Sequence, residues 1–448
     1  MPSLRAIGLA CALLLSPAIA QQQSSSSTTS GITVLSGTKS LLSATPTTPT
    51  GSYQTNTSKS TLASSASGST VVASNATSST STDSTTVITG SAKTSTTLSG
   101  NGTASVTSSS PPEPINTTPC NNHPEFCARR YSNITMVAAH NSPFVRPGNA
   151  AANQEFPVTT QLDDGIRLVQ GQIQWPVNNT FGEPHFCHTS CDLFDAGPIT
   201  NWLTEVKNWV ASHPYDVVTI LLGNGNYSSP DKYVPYIERT GILQYVYTPP
   251  VVPMNLTDWP TLSQMILHGQ RVVFFLDYSA NQTAYPWLMD EFSHMWETPF
   301  DPVDPTFPCT VQRPPDLPPD QAKARLYMIN HNLNAEVSLL DTTLLVPAVT
   351  LLNTTNAANG TGSLGVSAEQ CTADWGRPPN FLNVDYYNFG TPPGSVFEVA
   401  ARMNNVTYDR PCCGGIGVSG AISRRGDGNR ELHITALLLG LVIAFVTL

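Results

Sequence analysis

Charge is scarce in this chain: only 12% of its 448 residues are Asp, Glu, Lys or Arg, and acids outnumber bases 31 to 21. Such a balance leaves no basic stripe for a phosphate backbone, which excludes nucleic acid as a partner. Aromatic residues are almost missing from the first part of the chain. Between Gln21 and Pro119 the one aromatic residue is Tyr53, the charged ones are Lys39, Lys59, Asp83, Lys93 and Glu113, and Ser and Thr dominate the rest. A segment so poor in apolar bulk cannot offset the entropy of ordering its backbone, so a packed core is excluded there and residues 21–118 are expected to form a disordered stalk. Its composition suits O-glycosylation, and sequons at Asn56, Asn75, Asn101 and Asn116 add acceptors for N-linked sugar. Further sequons stand at Asn133, Asn178, Asn226, Asn255, Asn281, Asn353, Asn359 and Asn405.

Long apolar runs are confined to the two ends. Ala6 to Leu15, followed by Ser16-Pro17-Ala18-Ile19-Ala20, is too short to cross a bilayer and reads as a secretory signal with a small-residue cleavage site near Ala20. Leu432 to Leu448 is apolar with no basic residue after it; a polar spacer, Ile422 to Glu431, and the small triplet Ser419-Gly420-Ala421 precede it. This is the layout of a GPI-attachment signal. The expected organisation is a signal peptide over 1–20, the stalk over 21–118, one folded domain over 119–411, a spacer with the attachment site over 412–431 and a signal tail over 432–448. The protein is then expected to be secreted and GPI-anchored, at the plasma membrane outer face or in the cell wall. The folded part, roughly 290 residues, is the size of one α/β barrel.

Apart from Cys11 in the signal, the cysteines are Cys120, Cys127, Cys187, Cys191, Cys309, Cys371, Cys412 and Cys413. An even number on an oxidising route implies disulfides. Proximity suggests Cys120 with Cys127 and Cys187 with Cys191, while the full connectivity stays open. The rival, a zinc site at Cys187-His188 and Cys191, lacks a second ligand pair at a zinc-finger spacing.

Within the folded part, short apolar runs rich in β-branched residues read as buried parallel strands: Ile134 to Ala139, Ile166 to Ile173, Val217 to Leu222, Val272 to Leu276, Leu326 to Ile329 and Phe381 to Val384. Ile199, Trp202, Leu203, Val206, Trp209 and Val210 fall on one face of a helix that His213-Pro214 ends, and a second helix is expected over Tyr285 to Glu297. Strand alternating with helix predicts a parallel sheet with helices outside, either a barrel or an open doubly wound sheet.

In both architectures reactive groups gather at the carboxyl ends of the strands. His140-Asn141 follows the first strand, and His188 stands between Cys187 and Thr189 just before the first helix. Asp277-Tyr278, Asn330-His331 and Asp385-Tyr386-Tyr387 follow later strands. Two imidazoles at one mouth can take a proton and give one, the requirement for cleaving a phosphodiester through a neighbouring hydroxyl. His123, His185, His213, His268 and His294 read as structural or surface groups. Of the aromatic residues Trp175, Tyr227, Trp287, Trp296, Tyr386 and Tyr387, only Tyr386 or Tyr387 is expected near the pocket, because buried aromatics usually fill cores.

Taken together, the segments Met136 to Phe144, Gln161 to Arg167, Cys187 to Cys191, Asp216 to Ile220, Arg271 to Tyr278 and Pro379 to Tyr387 resemble the PLC-like phosphodiesterase superfamily, and within it the fungal secreted relatives of phosphatidylinositol-specific phospholipase C. The resemblance spans about Cys120 to Tyr408 and implies a (β/α)8 TIM-type barrel. It implies His140 as general base on the inositol 2-hydroxyl, His188 as the acid that protonates the departing diacylglycerol oxygen, and Asp385 as the carboxylate that orients His140. Asn141, Gln172, Asp277, His331 and Tyr386 are the expected substrate contacts, a phospholipid or glycolipid headgroup the expected partner, and a monomer the expected state.

Two positions depart from the family's pattern. Asn141 stands where the family has aspartate, and Gln170-Gly171-Gln172 where bacterial relatives carry Asp-x-Arg and intracellular eukaryotic ones carry acids for calcium. The expected cofactor is none, with calcium as the alternative and no ligand set evident. The rival function is a catalytically impaired cell-surface barrel that binds a lipid headgroup or a cell-wall sugar; a different hydrolase on the same barrel is the third.

Overall fold

The computed structural model describes residues 118–145, 149–177, 182–339 and 342–414, with the backbone of three short extended segments, Ser27–Thr29, Ile32–Val34 and Ser60–Thr61. The signal segment, most of the stalk, the attachment triplet and the apolar tail lie outside the described residues. Among the described residues no helix is long and apolar enough to cross a membrane.

Among the described residues, twelve strands of three or more residues organise the folded part: β1 Met136–Ala139, β2 Leu168–Gln174, β3 His185–His188, β4 Phe194–Pro198, β5 Val218–Asn224, β6 Val272–Leu276, β7 Leu288–Asp290, β8 Met295–Glu297, β9 Leu326–Asn330, β10 Asn334–Leu339, β11 Thr342–Pro347 and β12 Phe381–Val384. Eight of them form a curled sheet in the order β7-β6-β5-β2-β1-β12-β9-β8, every neighbouring pair parallel. Strand order follows chain order around the ring, as in a (β/α)8 barrel. β7 and β8 form its two edges. Helices cover the outside, including α1 Val158–Asp164, α2 Ile199–Ser212, α3 Leu364–Trp375 and α4 Ser395–Met403.

The strands carry apolar residues on both faces because both faces are buried. Val137, Val169, Ile220, Phe274, Ile329 and Leu382 face the helical layer and pack with Leu203, Val206, Leu364 and Val396. Residues one step along, Met136, Ala138, Leu168, Leu221, Val273, Phe275, Met328 and Phe381, fill the interior with Tyr131 and Trp259. Period-2 alternation then extends the interior series toward the strand ends, to His140, Gln170, Gln172, Gly223, Asp277, Asn330, Asn383 and Asp385.

The expected helix over Tyr285 to Glu297 is corrected. That stretch is β7, a single turn Glu291–His294, and β8, so two barrel strands stand where one helix was expected. Every residue from Leu288 to Glu297 is buried, and a short run buried all round carries no periodicity that separates helix from strand. The barrel is therefore complete in strand number, with its seam at this turn.

Four disulfides are present: Cys120–Cys127, Cys187–Cys191, Cys309–Cys371 and Cys412–Cys413. The second occupies the sulfurs of the rival zinc site. Both ends of the folded part meet the barrel at the end where strands begin. Asn121 exchanges hydrogen bonds with Val217, just before β5, while Gly414 N–H donates to Asp164 and Arg410 to the Asp163 carbonyl, at the last turn of α1.

Candidate active site

His140 follows β1, with its N–H on the Val384 carbonyl at 3.0 Å, so the register of β1 against β12 sets it beside Asp385. His140 Nδ1 lies 2.8 Å from Asp385 Oδ1, and both side chains are buried. Asn153 Nδ2 donates to the same carboxylate oxygen at 2.9 Å, and Gln154 Nε2 donates to the carbonyls of His140 and Val384 at 2.7 and 3.0 Å. These contacts hold Nδ1 against the carboxylate and leave Nε2 for chemistry. Burial depresses the imidazole's pKa, but the charge and hydrogen bond of Asp385, with smaller help from Asp301 and Glu297, outweigh it and raise it above the ordinary value.

His188 arrives by a different route. The β3–β4 ribbon folds back antiparallel on β2, pairing Ile173 with Phe186 and Gln174 with His185. The ribbon lies flat on the strand because β2 has Gly171 there: a side chain at that position would meet Phe186 and Pro143 at 2.8 Å. The Cys187–Cys191 disulfide closes the turn after His188, and Gln174 Nε2 donates to the carbonyls of Cys187 and Thr189 on either side of it, at 3.3 and 3.1 Å. Partly exposed, His188 packs against the Phe144 ring at 5.1 Å. Burial, and then the nearby charge of His140, hold its pKa down to about 3. His140 is therefore the more basic of the two rings, and a single proton shared by the pair resides on it.

The remaining expected contacts separate into two groups. Asn141, at φ 48°, donates its N–H to Gln170 Oε1 at 3.2 Å, and Gln172 sits two residues along β2. Asp277 accepts the Asn224 N–H at 2.7 Å and lies 3.4 Å from Arg313; burial raises its pKa to about 6. These groups line the mouth. Two residues expected to touch substrate are instead in the wall. Tyr386 is fully buried with its hydroxyl on the Ala152 carbonyl, and His331 is buried against the Phe307 ring with Nε2 3.0 Å from the Thr355 carbonyl. Backbone carbonyls take the Tyr386 hydroxyl and His331 Nε2. Tyr387, likewise buried, donates to Asp164 at 2.6 Å.

Sequence reasoning missed a polar belt across the barrel. Asn383 donates to Asn330 at 3.0 Å, Asn330 to Glu297 at 3.2 Å, and Arg313 bridges Glu297 at 3.0 Å and Tyr278 at 3.0 Å. Glu297 sat inside the expected helix, and Arg313 comes from a loop with no pattern of its own. Asn153 and Gln154 are loop residues of the same kind. Only alternation along β8 and β9 could have signalled part of the belt.

The eight-stranded parallel barrel, with a carboxylate-bonded imidazole and a second imidazole near its strand ends, has the architecture of the PLC-like phosphodiesterase superfamily. The PI-PLC X family model ("PI-PLC X 1") matches residues 126–404, and the chain belongs to that family. It is 50% identical over 338 residues to an "Uncharacterized secreted protein" of Arthroderma benhamiae, covering 75% of this chain and 76% of that one. It is 39% identical over 289 residues to the "PI-PLC X domain-containing protein 1" of the same fungus, covering 64% and 90%. Among solved structures, the phosphatidylinositol-specific phospholipase C from Listeria monocytogenes aligns with a TM-score of 0.42 and 13% identity, over 64% of this chain and 97% of that one.

Proposed function

We propose that the protein cleaves the phosphodiester of an inositol-containing lipid headgroup at the outer face of a membrane. The observation that carries this is the His140–Asp385 contact at 2.8 Å, with His188 held against the Phe144 ring in the loop that follows His140. His140 Nε2 takes the proton from the ring hydroxyl beside the phosphate, and that oxygen bonds to phosphorus. The phosphorus–oxygen bond to diacylglycerol breaks as His188 supplies a proton to the leaving oxygen. A cyclic inositol phosphate results, and intramolecular attack supplies the proximity advantage.

Proton inventory supports a one-proton pair and adds a condition. A single proton on the pair resides on the more basic ring, His140, whereas the step needs it on His188. A bound phosphodiester anion beside His188 raises that ring's pKa and draws the shared proton to it, which leaves His140 Nε2 free to accept the proton of the ring hydroxyl.

The donor set beside the histidines does not suit calcium, which prefers hard and largely anionic oxygens. Asn141, Gln170 and Gln172 offer neutral amides, and the Gln170 oxygen is taken by the Asn141 N–H. The reaction is therefore assigned to the histidines alone. The same neutral amides favour the second reading, a barrel that binds a headgroup without turning it over, since among the described residues no guanidinium stands beside those amides to grip the phosphate. Release of labelled inositol cyclic phosphate by the purified protein, compared with His140→Ala and His188→Ala, decides between them: equal background in all three removes the enzyme reading.

A further inference from the structure

On the β2 and β5 side of the mouth lies a second cavity, of about 580 Å3, lined by Trp175, Asp231, Lys232, Pro235, Tyr236 and Arg239. Its volume falls in the roughly 300–1,000 Å3 range of small-ligand sites. None of its residues has a part in the chemistry above.

The walls are held in place. Trp175 follows the last residue of β2, and its N–H donates to Asn226 Oδ1 at 2.8 Å. Its ring is stacked near Tyr233 at 6.3 Å and meets Tyr236 edge-on at 5.8 Å. Tyr236 donates its hydroxyl to the Gly182 carbonyl and lies under the Arg239 guanidinium at 4.5 Å. On the rim, Asp231 accepts hydroxyls from Tyr285 at 2.5 Å and Ser229 at 2.7 Å, which fixes the carboxylate and keeps it ionised.

We propose that this cavity binds a saccharide. A sugar ring has an apolar C–H face for the aromatic wall and hydroxyls that both donate and accept, matching an anchored carboxylate next to two cations. An acyl chain would strand Asp231, Lys232 and Arg239 against hydrocarbon. A simple anion would meet Asp231, and a nucleic acid base is opposed by the chain's net charge of −10.

The cavity begins one residue along the chain from the strand that supports His188. Gln174, the neighbour of Trp175, bonds the carbonyls flanking His188. A sugar joined to an inositol headgroup is one source of such a ring, and that source rests on the function proposed above. The sequon Asn226-Tyr227-Ser228 supplies a second source of the same chemistry, because Asn226 is the partner of the Trp175 N–H.

Calorimetric titration of the purified, glycosylated protein with glucosaminyl-inositol and with mannobiose tests the assignment, and is repeated after enzymatic removal of N-glycans. Saturable binding to the glycosylated protein, weakened about tenfold by Trp175→Ala through loss of an aromatic platform, identifies a ligand's sugar as the occupant. The same substitution tests Arg239→Gln and Lys232→Ala, whose exposed side chains put the fold at no risk, must weaken binding in the same direction. Binding that emerges only after deglycosylation, with the same sensitivity, identifies the chain's own Asn226-linked sugar. No binding in either form, or binding indifferent to all three substitutions, overturns the proposal. The readout is affinity, so loss of phosphodiester turnover leaves it intact.

Discussion

Replacing Asp385 with Asn keeps the size of the side chain that holds His140 and removes its charge. The 2.8 Å contact is between two buried groups. Hydrogen bonds of this charged type contribute about 1.5–3 kcal/mol. At 1.36 kcal/mol per decade this is roughly a ten- to hundredfold loss in kcat/KM. The pH profile gives the sharper test. Asp385 raises the His140 pKa, so in the native protein the upper limb of kcat/KM lies above the ordinary histidine value near 6.5. In Asp385→Asn, burial acts without that opposing carboxylate, and the limb moves downward. Stability follows the same sign: a raised folded pKa means the pair's contribution is complete below about pH 6.5 and is lost as pH rises through the folded value, and the variant loses that dependence. The assay is release of inositol cyclic phosphate across pH, with the His140 ring proton followed by NMR. A variant whose rate stays within about twofold, with both limb and ring titration unmoved, refutes the assignment of Asp385 as the positioning carboxylate.

Three further outcomes are expected. His188→Ala should lose about a hundred- to ten-thousandfold on a substrate with an alkoxide leaving group and far less on one releasing a nitrophenol, because a good leaving group needs no acid; equal losses on both, measured by initial rates, count against the acid role. Cys309→Ser with Cys371→Ser, which opens a cross-link spanning 62 residues, should cost roughly 4 kcal/mol in urea unfolding, against roughly 2 kcal/mol for the pair Cys120 and Cys127 separated by 7. Arg313→Met leaves Glu297 and Asp277 buried without their shared cation and should destabilise by about 3–5 kcal/mol in the same measurement.

The barrel was legible where strands are long enough to show their burial. Six runs were readable as strands, and the period-2 step from Met136 to His140 placed an imidazole at a strand end without any contact being known. Two strands were not legible, since β7 and β8 are three residues each, joined by one turn and buried throughout. The site divides in the same way. His140, His188 and Asp385 stood out because their neighbours in sequence are apolar strands or a short cysteine loop. Tyr386 and His331 occupy comparable positions in sequence, yet side-chain direction and the nearest carbonyls decide their fate, and neither is written in a local pattern. Arg313, Asn153 and Gln154 reach the barrel from loops, where only tertiary folding brings them to it.

Asn121 and Gly414 both fasten at the end of the barrel where strands begin, so whatever holds this domain by either end takes hold opposite the mouth that bears the histidines. A tether at the carboxyl end would aim the histidines outward, toward a facing surface or a neighbouring cell, and lipids in the bilayer that carries the tether would be reached only by tipping the whole body over. Tether length and stiffness would then govern which bilayer is within range, independently of anything in the pocket.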